Sequence, residues 1–396
     1  MSSDTFDVIV LGLGAMGSAA AYHLALRGKR VLGLEQYTAA HDRGSSHGES
    51  RIIRQAYHEN PAYVPLVQRA YELWEQLEAD TGQDILKLTG GLMIGSRESA
   101  VVQGTIRSAR EHGLEYQTLD ANELRRRFPT LRPRPDDMAV YEVKAGFLRP
   151  EVAVSAHLQQ AERHAAELHF LESVERWTAD ASGDGVDVVT SRGRYRASRL
   201  VIAPGAWASR LLAELRIPFA IRRHSMCWFD PGAALEMFSP DRFPIYIWDV
   251  NGHEVFYGFP FTGGDGGGVK AAMHSGGDPC APETLHAGST DLEVAELRRC
   301  VARFIPALNG PVVRSVPCMY TLTPDEHFVL SVHPEFSQVA IAAGFSGHGF
   351  KFASVIGEVL ADLSSVGSTK YEIGFLNPLR FGRDALACVA GASDQN

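Results

Sequence analysis

The stretch FDVIVLGLGAMGSAAAYHLALRGKRVLGLEQ, residues 6–36, decides the fold. Its first residues, Phe6–Leu11, form a continuous apolar run that is typical of a buried parallel strand. Gly12, Gly14 and Gly17 follow with the spacing G-x-G-x-x-G. In that motif the first glycine permits a tight turn and the second lets backbone approach a pyrophosphate. The third lets the following helix pack closely on the strand.

A helix over Ala15–Arg27 is predicted after the glycines, with Ala15 and Met16 in its first turn. The N–H groups of that turn and the helix dipole favour a bound phosphate. A second strand, Arg30–Leu34, ends at Glu35. That acid lies about 20 residues beyond the glycines, where such motifs place the group that binds a ribose hydroxyl. The order of strand, glycines, helix, strand and acid predicts that the chain binds an adenine dinucleotide, and it leaves NAD and FAD both open. The alternative interpretation is a glycine-rich turn in an unrelated βαβ unit.

Composition narrows the class of protein. The chain has 396 residues, a net charge of −9 and a pI near 5.9. The length predicts two domains or one large composite, and the acidic balance argues against a nucleic-acid partner. No apolar stretch is long enough to span a bilayer, so no membrane partner is expected. Five scattered cysteines without a C-x-x-C pair suit a reducing cytosol, and a cytoplasmic protein without a metal site is expected.

Later segments are predicted to return to the first sheet. Strands are expected over Leu168–Glu175, Gly193–Ala197 and Leu200–Pro204, the last running into a turn at Gly205. The chain closes as it began, with a strand at Val339–Ala343, a glycine turn and a helix, whose N-terminus favours negative charge. The nucleotide domain is therefore predicted to consist of separated segments.

A second domain is predicted from the middle of the chain. Ile217–Met273 alternates strand-like runs with turns and is dense in aromatic residues, which favours an antiparallel β layer on the substrate side. The expected class is an α/β (α+β) composite of a Rossmann-like domain and this antiparallel sheet. The nucleotide domain is assigned to residues 1–90, 146–216 and 318–396, and the substrate domain to residues 91–145 and 217–317. Arg125–Asp137 is predicted to be a surface linker and the tail past Arg383 to be mobile.

The polar loop His41–Arg54 follows the second strand, so it is expected at the carboxyl edge of the sheet, where ligands of such folds bind. A solvated basic loop is the alternative interpretation.

Five motifs give the chain a specific likeness. It resembles the monomeric sarcosine oxidase and N-methyltryptophan oxidase family, flavoenzymes related to D-amino-acid oxidase, over nearly its whole length. The resemblance implies FAD rather than NAD. The motifs, in order, are SSHGESRIIRQAY (45–57), FYGFP (256–260), VKAAMH (269–274), CMYTLTPDEHF (318–328) and GFSGHGFKFAS (344–354).

The resemblance assigns Cys318 to a thioether with the flavin 8-methyl carbon, although a single cysteine on a strand is usually only a small buried side chain. Arg54 and Lys351 match the pair that holds the substrate carboxylate, a task that suits a bidentate guanidinium and an ammonium. Lys270 matches the lysine that promotes oxygen reduction. His274 matches a histidine that positions the amine.

The remaining assignments also follow from the resemblance. Tyr257 and Tyr320 match pocket aromatics, Arg51 lies on the flavin face, and Gly347 lies in the turn against the pyrimidine edge. The expected catalytic residues are Lys270, His274, Arg51 and Tyr257, and the expected substrate-binding residues are Arg54, Lys351, Tyr257, Tyr320 and Gly347. The expected cofactor-binding residues are Gly12, Gly14, Ala15, Met16, Gly17, Glu35, Ser45, His47, Ser50, Arg51, Val174, Gly205, Cys318, Gly347, His348, Gly349 and Lys351.

The implied reaction is oxidation of an N-methyl amino acid, with sarcosine as the default, to formaldehyde and the free amino acid, with O₂ reduced to H₂O₂. N-methyltryptophan, proline or pipecolate as substrate, or a dehydrogenase with another electron acceptor, stay open. A monomer is expected from the family habit. Three departures fall near the expected pocket: SSHGES for the family's SHHGDT, extra glycine-rich length between Tyr257 and Lys270, and Ile247 and Trp248 where a flexible methionine is usual.

Overall fold

The computed structural model describes residues 6–263, 267–285 and 288–382. Within these ranges the chain forms two large sheets and one small one. None of the helices in the described ranges is long and apolar enough to cross a membrane. The mixed α/β class predicted from the sequence is confirmed. The tail past Arg383 and residues 264–266 of the glycine-rich insertion lie outside the described residues.

The helices and the strands of the described residues are numbered separately, each in chain order. The α-helices are α1 Ala15–Leu26, α2 Val64–Thr81, α3 Ala100–Glu111, α4 Ala121–Arg127, α5 Pro150–Arg163, α6 Ala208–Leu211, α7 Asp291–Phe304 and α8 Ala353–Val366. The strands are β1 Phe6–Leu11, β2 Val31–Leu34, β3 Arg51–Ile53, β4 Leu86–Leu88, β5 Gly91–Ser96, β6 Gln117–Asp120, β7 Asp137–Glu142, β8 Gly146–Leu148, β9 Glu167–His169, β10 Val174–Ala179, β11 Val186–Thr190, β12 Arg194–Ile202, β13 Ala220–Phe229, β14 Ile245–Asp249, β15 Val255–Gly258, β16 Val269–Met273, β17 Asp278–Pro279, β18 Val312–Leu322, β19 Val329–Val332 and β20 Val339–Ala343.

The first sheet collects strands from three separated parts of the chain. Its order is β10-β11-β12-β1-β2-β9, with β20 beside β12 and β19 beside β20. The central pairs β2–β1, β1–β12 and β12–β20 are parallel, as the continuous apolar runs predict. Helix α1 packs against α8 so closely that a Cβ on Gly357 would lie 2.5 Å from Ala19. The glycine motif therefore sits at the carboxyl end of the central parallel strand β1, under the helix pair α1 and α8.

The second sheet has the order β17-β13-β16-β15-β14-β5-β7-β6, with β18 on β13. It is antiparallel except for β14 and β5, which are parallel with Ile245 opposite Gly91. This pairing joins the segment near residue 91 to the one near residue 245. Its core contains buried Trp248, Phe256 and Phe304. The third sheet, β3-β8-β4, carries Arg51 on its first strand.

Several predicted boundaries need correction. The predicted strands at 193–197 and 200–204 are one strand, Arg194–Ile202, which pairs antiparallel with β11 at its start and parallel with β1 at its end. Its polar middle is exposed, which is why the sequence suggested a break. The predicted strand 168–175 is instead the two strands β9 and β10. Residues 125–137, predicted as linker, begin inside α4 and end at β7.

The domain boundary proposed at residue 318 falls inside β18. That strand pairs with β13 from Val312 to Leu322 and belongs to the second sheet along its whole length. The side chain expected to bind the flavin is therefore carried by the substrate-side sheet, and the division into domains stays a proposal with its last boundary after residue 322.

Candidate active site

One long cavity connects the glycine motif of the first sheet with an aromatic cluster on the second. Most of the residues predicted for the site line it. These are Gly12, Gly14, Ala15, Met16, Glu35, Ser45, Arg51, Arg54, Val174, Gly205, Tyr257, His274, Cys318, Tyr320, Gly347, His348, Gly349 and Lys351. Gly17, His47, Ser50 and Lys270 lie behind the wall of the cavity rather than in it.

The glycine motif has the geometry that its spacing predicts. Gly12 has φ +81°, and a Cβ there would lie 2.4 Å from the carbonyl oxygen of Ala203. A Cβ on Gly17 would lie 1.7 Å from the oxygen of Gly12, so helix α1 can start directly on the turn only with glycine at this position. Gly14 has nothing nearer than the Ser46 hydroxyl at 3.8 Å, which leaves its backbone accessible.

Glu35 ends β2 and faces the glycine turn. One carboxylate oxygen accepts a hydrogen bond from the backbone of Leu13 over 2.9 Å, and the other accepts one from the backbone of Tyr37 over 3.1 Å. His41 Nε2 lies 3.3 Å from the second oxygen. The acid is buried but lines the cavity, so it braces the turn and has lone pairs left for a ribose hydroxyl.

Arg51 and Cys318 meet at the middle of the cavity. Arg51 Nη2 lies 3.6 Å from the Cys318 sulfur and donates to the backbone oxygen of Ser45 over 3.0 Å. Its Nη1 donates to the backbone oxygen of Ser50 over 2.9 Å. Cys318 is 3% exposed. The guanidinium is thereby held in contact with the neighbouring sulfur.

Lys270 is buried behind the 45–51 loop. Its ammonium donates to the backbone oxygens of Gly48 and Ser50, over 2.7 and 2.6 Å, and lies 4.2 Å from the centre of the Phe259 ring. Burial, and then the charge of Arg51, lower the pKa of Lys270 well below its usual value. The lysine thus holds the loop that carries Arg51.

The far end of the cavity holds the two predicted carboxylate-binding cations. Arg54 is 1% exposed, and its Nη2 contacts both carboxylate oxygens of Glu59, at 2.7 and 2.6 Å. Burial alone would raise the pKa of Glu59, but Arg54 and His58 hold it well below its usual value. Lys351 donates to the backbone oxygen of His348 over 2.7 Å. Burial, and then Arg54, lower the pKa of Lys351 to about 7.

Aromatic side chains line the same cavity as these cations. The hydroxyl of Tyr320 lies 3.4 Å from that of Tyr257, and the His274 ring is 5.7 Å from the Tyr320 ring. Burial lowers the pKa of His274 to about 4, so its imidazole is neutral at physiological pH. Gly347, with φ +79°, packs on Tyr320, where a Cβ would lie 2.4 Å from the ring.

The sequence interpretation missed three residues near Arg54. Glu59 and His58 line the cavity, and Tyr57 lies behind its lining. Glu59 stands only five residues beyond Arg54, in HEN just after the matched motif, and an acid beside a buried arginine was the available signal. The contact of Glu59 with Arg54 depends on the Glu59 side chain turning back towards β3, which the spacing in the sequence does not indicate.

Comparison with known proteins decides the family. A family profile described as FAD dependent oxidoreductase matches residues 7–363. The chain belongs to this family. A monomeric sarcosine oxidase of Streptomyces avermitilis is 51% identical over 380 residues, which are 96% of this chain and 98% of the relative.

Two further proteins extend the comparison. An N-methyl-L-tryptophan oxidase of Yersinia pestis is 32% identical over 95% of this chain and 99% of its own. The solved structure of NikD, an amino acid oxidase essential for nikkomycin biosynthesis, is 26% identical, covers 94% of this chain and 97% of its own, and superposes with a TM-score of 0.82. The resemblance inferred from the motifs is thereby confirmed.

The residues present fit FAD. The glycine cradle, the Glu35 carboxylate and the start of α1 suit the diphosphate and ribose, and Cys318 and the turn at 344–349 lie farther along the same cavity. His47 Nε2 and Ser50 Oγ are buried and have no partner within residues 6–263, 267–285 and 288–382. Both residues lie behind the cavity wall, so the fit to FAD rests on the glycine cradle, Glu35 and the start of α1.

Proposed function

We propose that the protein is an FAD-dependent oxidase of N-methyl amino acids, with sarcosine as the default substrate. The observation that carries the proposal is the pair Arg54 and Lys351 at the end of the FAD cavity, facing the aromatic wall of Tyr257, Tyr320 and His274. Two cations suit one carboxylate, and the aromatic wall suits an N-methyl group. The relatives named sarcosine oxidase support the same conclusion.

Arg54 and Lys351 bind the carboxylate of the amino acid. Arg54 Nη2 already contacts both carboxylate oxygens of Glu59, so an incoming carboxylate competes with the Glu59 carboxylate or takes a free donor. Arg54 Nε is such a donor: it is buried and without a partner in the described part of the chain. The substrate carboxylate therefore either displaces Glu59 from Nη2 or binds at Nε, while the guanidinium stays in place.

His274 and Tyr257 orient the amine. A neutral imidazole accepts a hydrogen bond from a secondary amine and does not repel the positive charge that develops on its nitrogen. The packed aromatic side chains exclude water from the N-methyl group. The enclosed substrate is thus held with its amine between the cations and the aromatic wall.

FAD, when bound, supplies the two-electron oxidation of the amine and the reduction of O₂ to H₂O₂. The balance is R–NH–CH₃ + O₂ + H₂O giving R–NH₂ + HCHO + H₂O₂. An ammonium at Lys270, held by the backbone oxygens of Gly48 and Ser50, would stabilise the negative charge that develops during oxygen reduction, and that negative charge in turn favours the protonated form of the lysine. Cys318 is the proposed covalent anchor of the flavin, beside Arg51.

Two alternatives remain for the substrate and the acceptor. The relative named N-methyl-L-tryptophan oxidase favours a bulkier N-methyl amino acid within the same plan, and proline or pipecolate offers the same carboxylate and secondary amine. A dehydrogenase would use the same cations with another electron acceptor. The protein is proposed to act as a monomer.

The test uses purified protein. It is precipitated with acid, the pellet is inspected for flavin colour, and peroxide is assayed in the native sample with sarcosine, N-methyltryptophan, proline and pipecolate. A yellow pellet and peroxide with an N-methyl amino acid are expected. Dye reduction without peroxide would identify a dehydrogenase, and no turnover of any secondary amino acid would refute the proposed function.

A further inference from the structure

Tyr57 contacts both cations proposed for the substrate carboxylate. It is fully buried and lies outside the set of residues that the motifs assign to the site. Arg54 Cζ lies 4.3 Å from the centre of its ring, and Lys351 Nζ lies 5.1 Å from the same centre. The face of an aromatic ring attracts cations, so one side chain attracts both groups.

The direction in which the Tyr57 hydroxyl donates its hydrogen bond follows from the position of the hydrogen on the His348 ring. Nε2 of His348 lies 3.0 Å from the backbone oxygen of Glu326, and a carbonyl only accepts, so Nε2 carries the hydrogen. Burial lowers the pKa of His348 to about 3, so the ring is neutral and Nδ1 is an acceptor.

The Tyr57 hydroxyl lies 2.5 Å from Nδ1 of His348 and 3.2 Å from the backbone oxygen of the same residue. Both are acceptors, so its hydrogen is directed at residue 348. The oxygen lone pairs are then available to Lys351 Nζ, 3.5 Å away.

The two cations need such support because they repel each other. Arg54 contributes to the lowered pKa of Lys351, which shows that the two charges act on each other. Glu59 neutralises Arg54, but its carboxylate competes with a substrate carboxylate. The ring and hydroxyl of Tyr57 offer negative potential without a net charge, so they hold the cations and leave both able to bind an anion.

We propose that Tyr57 is a positioning residue that holds Arg54 and Lys351 at the spacing of one carboxylate, and so sets the affinity for amino acid substrates. The inference rests on the proposed function, because it takes the carboxylate site as its premise. Tyr57 acts through the two cations rather than on the reacting atoms.

The test compares two variants of the holoenzyme. Tyr57→Phe keeps the ring and removes the hydroxyl, and Tyr57→Leu removes both. Dissociation constants are measured from the flavin absorbance for 2-furoate and for its neutral amide, 2-furamide. We expect Tyr57→Phe to weaken 2-furoate about tenfold and Tyr57→Leu to weaken it about 30-fold or more, with 2-furamide changed less than about threefold in both. The KM of the substrate should rise with kcat nearly unchanged, because the carboxylate contact is the same in the ground state and the transition state.

Tyr71→Phe is the matched control. Tyr71 is another buried tyrosine, and its hydroxyl donates to the backbone oxygen of Lys144 over 2.6 Å, away from the cavity. This variant should bind 2-furoate like the wild type. Two results would overturn the inference: Tyr57 variants that bind 2-furoate and 2-furamide equally more weakly, or Tyr57 variants that both bind 2-furoate like the wild type. In either case, turnover by the wild type would still uphold the proposed function. A wild-type enzyme without turnover and without furoate binding would overturn the two together.

Discussion

The Cys318 sulfur lies 3.6 Å from Arg51 Nη2, at the middle of the cavity that joins the two sheets. The cysteine comes from the second sheet and the arginine from the small third one, so the contact forms only in the folded chain. Arg51 is therefore the cation that would assist nucleophilic attack by the sulfur in the proposed attachment of the flavin to Cys318.

Covalent attachment should depend on both residues. Cys318→Ala is expected to give a colourless acid pellet with the flavin in the supernatant, because no sulfur is left to form the bond. Arg51→Gln is expected to slow formation of the bond about tenfold or more, because the charge that stabilises the sulfur is lost. Flavin absorbance of pellet and supernatant measures both effects.

Cys227→Ala is the control for this experiment. Cys227 is a fully buried thiol on the neighbouring strand, packed in the apolar core of the second sheet. Its pellet should stay as yellow as that of the wild type. A yellow pellet from Cys318→Ala would place the linkage on another residue.

Glu59→Gln should tighten carboxylate binding. The substitution removes the anion that occupies Arg54, so 2-furoate no longer competes with it. We expect its dissociation constant to fall about three- to tenfold, with 2-furamide unchanged. Glu254→Gln, which breaks the exposed pair with Arg299, should change neither ligand. Weaker furoate binding in Glu59→Gln would show that Glu59 organises Arg54 rather than competing for it.

The affinity for a carboxylate should depend on pH through Lys351. Its pKa is about 7 without ligand, and an anion favours its charged form, so 2-furoate binds best below pH 7. Above pH 7 the lysine loses its proton and the dissociation constant should rise, by up to about tenfold per pH unit. His274, with a pKa of about 4, stays neutral across this range and adds nothing.

Titrations of the wild type and of Lys351→Met from pH 6 to pH 9 check this dependence. The variant should bind weakly at every pH, without the slope. A wild-type affinity that is constant from pH 6 to pH 9 would mean that Lys351 does not carry the charge that binds the ligand.

The glycine motif allows a test that separates two physical effects. The two effects are backbone strain and steric overlap. Gly12 has φ +81°, and an added Cβ would lie 2.4 Å from the Ala203 oxygen. Gly28 has φ +75°, but an added Cβ would have no atom within 4 Å. Gly28→Ala should cost about 1–2 kcal/mol of unfolding free energy from backbone strain alone. Gly12→Ala should cost more and lower flavin content, because the turn must move. Denaturant unfolding of the apoprotein measures the loss of stability, and the flavin-to-protein absorbance ratio measures the flavin content. Equal losses in the two variants would contradict a role for the contact with the Ala203 oxygen.

Local patterns explain why much of the fold could be predicted. The run Phe6–Leu11, the glycines and the acid at Glu35 are close in sequence, and each has one physical role that its residue type indicates. The antiparallel character of the second sheet was also readable, because its strands alternate and follow one another. The boundary proposed at residue 318 divides β18, because that strand pairs with β13, about 95 residues earlier, and nothing local records that partner.

The site was predictable only where a motif carried it. The motifs place Arg54 and Lys351 in the cavity, but the ion pair with Glu59 and the contacts of Tyr57 depend on side-chain direction in the folded state. Lys270 shows the same limit: it is assigned by its motif, yet its partners are backbone oxygens of a loop that lies more than 200 residues away in sequence.

Lys270→Met should separate the two halves of the reaction. The ammonium supports the 45–51 loop and supplies positive charge there, so its loss should lower kcat/KM for oxygen about 10²- to 10³-fold. The kcat/KM for the amino acid should change by less than about tenfold, because the carboxylate contacts of Arg54 and Lys351 are kept. Initial rates at varied oxygen concentration measure both constants.

Arg314→Met is the control for this last experiment. The Lys270 ammonium lies 5.7 Å from the centre of the Trp228 ring. Arg314 is a second cation over that ring, with Cζ 4.4 Å from its centre, and it pairs with Glu49 on the same loop. If a charge in this region were sufficient, the two variants would lose oxygen reactivity alike. A selective loss in Lys270→Met would instead assign the effect to the one ammonium that contacts the backbone of Gly48 and Ser50.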